Sequence, residues 1–307
     1  MQKKVIDEPL TYQITRVAIG SDFALQIDSA EFSSIVAATD SLFGLLEIET
    51  LYDLLIANYT EIEHELFRIA VDFFLHPRFE RSDLDRDHRA ISRVLGNFLA
   101  SARSYIDLTK HRVSTTLGDL ETVESFFNNE YDLGLAYRVM EALRNYSQHC
   151  GIAVQGIGYP WEWTLTNDNQ PDKLLASFSP TLHIPALRKD LKFKVKILLE
   201  LEETHKDSVP IVPLLREYVV ALSRVNGRIR DLYAPRREEW FSTLERWVRQ
   251  YEEKCPGKRG IEAQIVDADG RVQESVHIDI ELRERLMTLK QENSNLANGL
   301  RHVRFHT

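Results

Sequence analysis

Residues 51–74, LYDLLIANYTEIEHELFRIAVDFF, decide the fold class of this chain. Apolar side chains recur there at three- and four-residue steps, which is the period of a helix with one buried stripe. The positions in the stripe are Leu51, Leu54, Leu55, Tyr59, Ile62, Leu66, Ile69, Phe73 and Phe74. Pro77 predicts the end of the helix, because proline disfavours the helical conformation of the residue before it. The stretch is therefore predicted to be a long amphipathic helix packed against other helices.

The same helical period continues on both sides of this stretch. Breaks between helices are predicted at Gly118-Asp119 and at Asn128-Asn129, where turn-forming residues interrupt the apolar pattern. The predicted helices cover residues 31–46, 51–74, 84–116, 120–127, 135–149, 186–206, 211–233 and 235–254, with one more helix after residue 281. This content predicts a mainly α fold built as an antiparallel helical bundle.

Extended segments are predicted at the two ends of the chain and in the middle. Residues 1–30 alternate weakly and are predicted to form an extended or irregular arm. Trp161–Leu165 is a possible strand, and residues 261–280 are predicted to form a β-hairpin that turns at Asp267-Ala268-Asp269-Gly270. The predicted domains are the arm, a helical bundle over 31–158, and a helical C-terminal region over 159–307 that contains the hairpin.

Composition excludes several classes of protein. The chain has 43% hydrophobic and 28% charged residues, which is ordinary for a soluble globular protein. It contains no run of eighteen apolar residues and no recognisable leader, so a cytoplasmic protein without membrane contact is expected. Cys150 and Cys255 are far apart, which argues against a disulfide framework and against a zinc site. Without a phosphate-binding glycine loop or a metal-ligand motif, no metal and no cofactor are expected.

The charge distribution leaves two interpretations open. A net charge of −9 argues against a protein that coats nucleic acid through bulk electrostatics. Residues 211–260, however, hold eleven Arg and Lys against seven Asp and Glu. This segment is either a helix pair with solvated charged faces or a local track for RNA.

Arg144-Asn145-Tyr146-Ser147-Gln148-His149 is the segment most informative about function. It closes a predicted helix, and Gly151 just beyond it is predicted to adopt the left-handed conformation that ends many helices. Arginine supplies a permanent cation for phosphate, and histidine is the side chain that ordinarily titrates near neutral pH. These are the groups needed to cleave RNA without a metal. His88, by contrast, has charged neighbours that indicate a solvated helix face.

Spacing alone does not distinguish this segment, since about one arginine five residues before a histidine is expected by chance. A second such pair, Arg301 and His306, lacks a polar residue after the arginine and has no apolar helix before it. Arg144, Asn145 and His149 have both features. Together they resemble the motif of the HEPN family (higher eukaryotes and prokaryotes nucleotide-binding domain), in which a polar residue follows the arginine and a histidine lies four to six residues beyond it. The resemblance covers about residues 49–152.

The resemblance implies a HEPN-like helical bundle and a metal-independent endoribonuclease, as in toxin–antitoxin, abortive-infection and other antiviral systems. Such an enzyme cleaves RNA by attack of the 2′-hydroxyl and leaves a 2′,3′-cyclic phosphate. His149 is then the acid or base, Arg144 stabilises the phosphate, and Asn145 assists. An antitoxin or another defence protein is a possible partner. Gly151 stands where a toxin subgroup has a tyrosine that a partner nucleotidyltransferase modifies, so that control is not indicated.

Helix geometry adds a prediction about assembly. Five residues apart on one helix, Arg144 and His149 point about 140° away from each other. A homodimer with a composite active site removes this difficulty, since the histidine of one copy can face the arginine of the other. Two alternatives stay open: a non-catalytic HEPN-like module that binds RNA, nucleotide or a protein, and an all-helical scaffold whose C-terminal half mediates assembly.

Overall fold

A computed structural model describes residues 10–17, 23–76, 80–189, 193–256, 260–279 and 281–294. These residues form a mainly helical structure with small antiparallel sheets, which confirms the predicted helical class. Residues 1–9 of the predicted arm, and the second pair Arg301 and His306, lie outside the described residues. Within the described ranges, none of the helices combines the length and the apolar composition that crossing a lipid bilayer requires.

Helix α1, Ser29–Leu75, is one continuous helix of 47 residues. Its first turn is a capping box, because Asp28 Oδ1 accepts from the Glu31 backbone N–H at 2.7 Å and Glu31 Oε2 accepts from the Asp28 N–H at 2.9 Å. The prediction of separate helices over 31–46 and 51–74 was wrong. The residues between them, Glu47-Ile48-Glu49-Thr50, contain neither glycine nor proline, so nothing local interrupts the helix.

Three helices follow: α2 spans Arg81–Leu117, α3 spans Leu120–Leu133 and α4 spans Leu135–His149. The predicted break at Gly118-Asp119 is confirmed. Gly118 caps α2 in the left-handed conformation, with φ 70°, and the Asp119 side chain accepts from the Thr122 N–H at 3.2 Å to begin α3. The predicted break at Asn128-Asn129 was wrong, because α3 continues through both residues and ends before Gly134.

Two glycines of α2 and its cap are expected to respond oppositely to alanine. At Gly118 the positive φ makes any Cβ strained, so Gly118→Ala is expected to destabilise the protein by about 1–2 kcal/mol. At Gly96, inside α2, an added Cβ meets no atom within 4 Å, so Gly96→Ala is expected to stabilise it by about 0.5–1 kcal/mol. Urea denaturation measures both changes, and shifts of the same sign would contradict this explanation.

Strands from both ends of the chain form one antiparallel sheet. Its order is β2-β1-β8-β9, where β1 is Thr11–Arg16, β2 is Ala24–Ile27, β8 is Ile261–Val266 and β9 is Val272–Ile278. The predicted hairpin is confirmed as β8 and β9, with Gly270 at φ 78° in the turn. The Asp267 carboxylate accepts backbone N–H groups of Asp269 and Arg271, at 3.0 and 2.9 Å, and so closes the turn.

Smaller elements fill the centre of the chain. The strands are β3 (Gly156–Gly158), β4 (Trp161–Leu165), β5 (Pro171–Ala176), β6 (Ser179–His183) and β7 (Ser208–Pro210), and the helices are α5 (Ile184–Leu187) and α6 (Val195–Glu202). The possible strand at 161–165 is thus confirmed, and it pairs antiparallel with β5. The helix predicted over 186–206 was too long, since among the described residues of that range the helical ones belong to the end of α5 and to α6.

Helix α7, Ile211–Lys254, is another single helix where two were predicted, and α8, Leu282–Glu292, confirms the predicted terminal helix. Pro235 lies inside α7 although it cannot donate the backbone hydrogen bond of that turn. Tyr233, Phe241 and Leu244 are buried on either side of it. Burial of this apolar face offsets the lost hydrogen bond, which sequence pattern alone does not reveal.

The chain divides into two compact units, one of residues 1–49 and 230–292 and the other of residues 50–229 and 293–307. Helices α1 and α7 each contribute residues to both. The domain boundaries predicted after residues 30 and 158 stay a prediction. Pairing of β1 with β8 joins the N-terminal arm to the C-terminal hairpin, and such long-range pairing leaves no local signal in the sequence.

Candidate functional site

Helix α4, which carries the predicted motif, is anchored by one buried face. The buried residues of this face are Ala136, Tyr137, Val139, Met140 and Leu143. Next to it, Tyr218 of α7 donates its hydroxyl to Glu141 Oε1 at 2.6 Å. Burial, and next the negative charge of Glu141, raise the pKa of Tyr218 well above its usual value, so the phenol stays a donor. The orientation of α4, and hence of its last turn, is therefore set by packing.

The end of α4 differs from the predicted capping motif. The Tyr146 carbonyl accepts from the N–H groups of Cys150 and Gly151, at 2.8 and 3.2 Å. Among the described glycines, positive φ occurs at Gly118, Gly260 and Gly270, so the predicted left-handed Gly151 was wrong. A Cβ at position 151 would lie 2.8 Å from the Tyr146 hydroxyl oxygen. A side chain at position 151 therefore needs the far end of the Tyr146 side chain to shift, and the backbone conformation itself does not demand glycine.

The structure brings two of the three predicted site residues together. Arg144 is half-buried, and its Nη1 donates to the side-chain oxygen of Asn145, which is exposed. His149 is also exposed, and the helical step of 100° per residue places it about 140° around α4 from Arg144. Arg144 lines a cleft between α2 and α4, and His149 is not among the described residues that line it. Within one chain, therefore, the arginine and the histidine do not surround one phosphate. This agrees with the prediction made from the helical period.

This α2–α4 cleft has a volume of about 440 Å³. Its polar lining comes mainly from one face of α2, with Arg144, Ser147 and Gln148 contributed by α4. The α2 residues in the lining include His88, Arg89, Ser92, Arg93 and Gly96. No aspartate or glutamate is among the described residues of the lining. In a chain of net charge −9, the cleft is thus a local concentration of positive charge.

The arginines of the cleft are only weakly engaged elsewhere. Arg93 Nη2 lies 3.0 Å from Glu61 Oε1, but the two side chains are 60% and 44% exposed. An ion pair of that kind contributes about 0–1 kcal/mol and is easily exchanged for another anion. Arg89 is exposed and has no charged partner within the described part of the chain.

Two polar atoms in the cleft residues are buried without a hydrogen-bond partner among the described residues. They are Nε of Arg144 and Oγ of Ser92. Buried donors of this kind are costly unless water or a ligand satisfies them. Both belong to side chains that line the cleft, and a ligand rich in acceptor oxygens would satisfy them once these side chains turn toward it.

His88 contributes a fixed tautomer to the cleft. Its Nε2 lies 2.7 Å from the Val154 carbonyl oxygen. A carbonyl only accepts, so Nε2 carries the hydrogen and the neutral ring keeps its lone pair on Nδ1. The bond also ties the segment after α4 to α2. The predicted solvated position of His88 was incomplete, since the ring is half-buried in the wall of the cleft.

Sequence reasoning missed the α2 side of this site. His88, Ser92 and Gly96 recur at four-residue steps, and Arg89 and Arg93 form a parallel row. Four-residue steps place side chains on one helix face. The pattern is therefore present in the sequence, but its part in the site depends on α4 facing this side of α2.

Neither a metal site among the described residues nor a matching protein adds to the description of the cleft. No group of three or more His, Cys, Asp or Glu residues that could hold a metal ion occurs among the residues that the structure describes. Comparisons of the chain with protein-family models, with curated proteins and with solved structures found no match.

Proposed function

We propose that this protein is a metal-independent endoribonuclease of the HEPN type, with Arg144, Asn145 and His149 as its catalytic residues. The observation that carries the proposal is the placement of Arg144 in an arginine-lined cleft, while His149 is exposed on another face of the same helix. RNA bound along the cleft meets permanent cations, and the histidine is accessible to a second copy of the chain.

Each residue has a defined part in the proposed reaction. His149 takes the proton of a 2′-hydroxyl, whose oxygen attacks the adjacent phosphorus and forms the new O–P bond. The bond from phosphorus to the 5′-oxygen breaks, and that oxygen takes a proton from water. Arg144 neutralises the added negative charge, and Asn145 holds the guanidinium through its side-chain oxygen. The products are a 2′,3′-cyclic phosphate and a 5′-hydroxyl.

The working unit in this proposal is a homodimer. The angle of about 140° between Arg144 and His149 keeps one copy from enclosing a phosphate, and a two-fold axis brings one copy's histidine to the other's arginine. An uncontrolled ribonuclease harms its own cell, so we place the protein among toxin or antiviral effectors that a partner protein restrains.

Cleavage of RNA in the presence of a chelator tests this function. We expect purified protein to cut labelled single-stranded RNA equally well with and without EDTA, and to leave cyclic phosphate ends detectable by phosphatase resistance. Cleavage that disappears with EDTA, or linear phosphate ends as the first product, contradicts the proposal.

A second candidate is a non-catalytic module that binds RNA or nucleotide. The position of His149 outside the cleft favours it, because the cleft of one chain then keeps its arginines but contains no acid or base from the α4 motif. Binding of RNA without cleavage at any protein concentration would establish this function instead.

A further inference from the structure

We infer that the α2–α4 cleft is a binding site for one nucleotide unit, with the phosphate held by Arg89 and Arg93 of α2 together with Arg144 of α4. The inference deepens the proposed function and rests on it only for the source of the nucleotide, an RNA strand. Its new content is the α2 face, which the motif on α4 does not include.

Charge is the first reason. Three guanidinium groups line the cleft and no described carboxylate does, although the chain as a whole is acidic. Guanidinium binds phosphate through two parallel N–H···O bonds, which makes arginine the preferred side chain for this anion. The exposed pair of Arg93 with Glu61 is weak enough to be replaced by a phosphate.

Unsatisfied donors are the second reason. Arg144 Nε and Ser92 Oγ are buried and lack a partner among the described residues. Both side chains line the cleft, so a change of rotamer that turns these atoms toward it lets the acceptor oxygens of a phosphate or a ribose pair with them. An apolar ligand would leave these donors unpaired, and the cleft is therefore poorly suited to one.

Size and shape are the third reason. The volume of about 440 Å³ lies within the range of about 300–1,000 Å³ that is usual for small-molecule sites. Leu99, Ala100 and Ile152 add apolar lining against which the flat face of a base can pack. Gly96 keeps the cleft open, since a Cβ there has no atom within 4 Å and a longer side chain would extend into this space.

A glycine substitution tests the site without removing any charge. Gly96→Leu fills the cleft, and the matched control is Gly227→Leu on α7, where an added Cβ also meets no atom within 4 Å. Leucine has a higher helix propensity than glycine, so both variants are expected to melt at or above the wild-type temperature. A loss of binding in Gly96→Leu is then not a loss of folding.

The probe is a fluorescent 2′-O-methyl RNA octamer, which lacks the attacking hydroxyl and cannot be cleaved. We expect Gly96→Leu and Arg93→Ala each to weaken its binding by about ten-fold or more, and Gly227→Leu to change it less than two-fold. Wild-type affinity in Gly96→Leu overturns the inference. So does equal weakening in Gly227→Leu.

Competition separates the possible sources of the ligand. Adenosine monophosphate that displaces the octamer from wild type, while inorganic phosphate at the same concentration does not, supports a site for a whole nucleotide. Displacement by phosphate alone at equal strength overturns that part of the inference, because the ribose and base then contribute nothing. Binding of the monophosphate without the octamer supports the cleft and assigns it to a free nucleotide.

The binding assay also distinguishes the two proposals from each other. Octamer binding that depends on Gly96, in a protein that cuts no RNA, leaves the nucleotide site intact and removes the ribonuclease. RNA cleavage with cyclic phosphate ends, in a protein whose octamer binding is unchanged by Gly96→Leu, supports the ribonuclease and removes the nucleotide site in the cleft.

Discussion

His149→Ala is expected to lower the rate of RNA cleavage by about 10²–10⁴-fold, which is the usual contribution of a positioned general acid or base. Arg144→Ala is expected to lower it by about 10²–10³-fold, as removal of one donor to a developing negative charge does. The assay is initial-rate cleavage of a labelled RNA at saturating concentration. In both variants the fold is expected to persist, because His149 is exposed and Arg144 only half-buried.

Matched controls identify effects that are merely structural. His111 is an exposed histidine on α2, and Arg236 is an arginine of α7 whose side chain is 64% exposed. His111→Ala and Arg236→Ala remove the same groups far from the motif in sequence. We expect both to cleave within two-fold of wild type. Equal losses in the controls and in the motif variants would mean that the motif is not the active site.

Mixing the two inactive variants tests the composite site directly. In a heterodimer of Arg144→Ala with His149→Ala, one of the two composite sites keeps both its arginine and its histidine, and the other has neither. Random exchange makes about half of the dimers mixed, so the mixture is expected to recover about a quarter of the wild-type rate. Two variants that stay inactive when mixed, although they exchange subunits, would exclude a site shared between copies.

The helical class of this chain could be predicted because its apolar residues keep one period over long stretches. The helix containing Leu55, Ile62 and Ile69 is real, and those three side chains are buried. The hairpin at 261–280 was predictable for a similar reason, since Asp267 and Gly270 carry turn chemistry that depends only on neighbouring residues.

The predicted helix ends were wrong where tertiary packing outweighs the local sequence signal for a break. Pro235 and the pair Asn128-Asn129 both favour a break, yet α7 and α3 continue through them. At 128–129 the neighbouring residues Phe127 and Glu130 are buried, and Glu130 is held by Arg224 of α7. Partners distant in the chain supply that stabilisation, so no window of sequence contains it.

The α4 part of the candidate site could be predicted from the sequence, and the α2 part could not. Arg144 and Asn145 lie on one predicted helix, and their angular separation from His149 follows from the 100° rotation per residue of that helix. The arginines of α2 could not be predicted as site residues, because their place in the site depends on which face of α2 meets α4. Gly151 shows the same limit, because the contact that a Cβ there would make with the Tyr146 side chain depends on the three-dimensional structure.

Glu49→Met is expected to destabilise the protein by about 3–5 kcal/mol, the cost of leaving one charge of a buried pair without its counter-ion. Arg230 Nε and Nη2 donate to the two carboxylate oxygens of Glu49 at 2.8 and 2.7 Å. The two side chains are only 13% and 5% exposed, so water cannot replace the lost partner at low cost. Urea denaturation followed by circular dichroism measures the change.

An exposed pair provides the matched control. Arg236 and Glu239 lie at 3.2 Å on the surface of α7, and both side chains are 64% exposed. Glu239→Met removes the same kind of carboxylate from a guanidinium that water already solvates. We expect its effect to stay within about 0.5 kcal/mol, as for other surface substitutions. A large effect there would show that charge, and not burial, governs these pairs.

The double variant Glu49→Met with Arg230→Met separates the value of the pair from the cost of breaking it. Arg230→Met alone leaves a buried carboxylate and is expected to cost about as much as Glu49→Met. Both together remove the two charges of this pair, and methionine fills much of the same volume, so the double variant is expected to lose less than either single one. A double variant that loses as much stability as either single variant would mean that the pair itself, through its two short hydrogen bonds, stabilises the contact between α1 and α7.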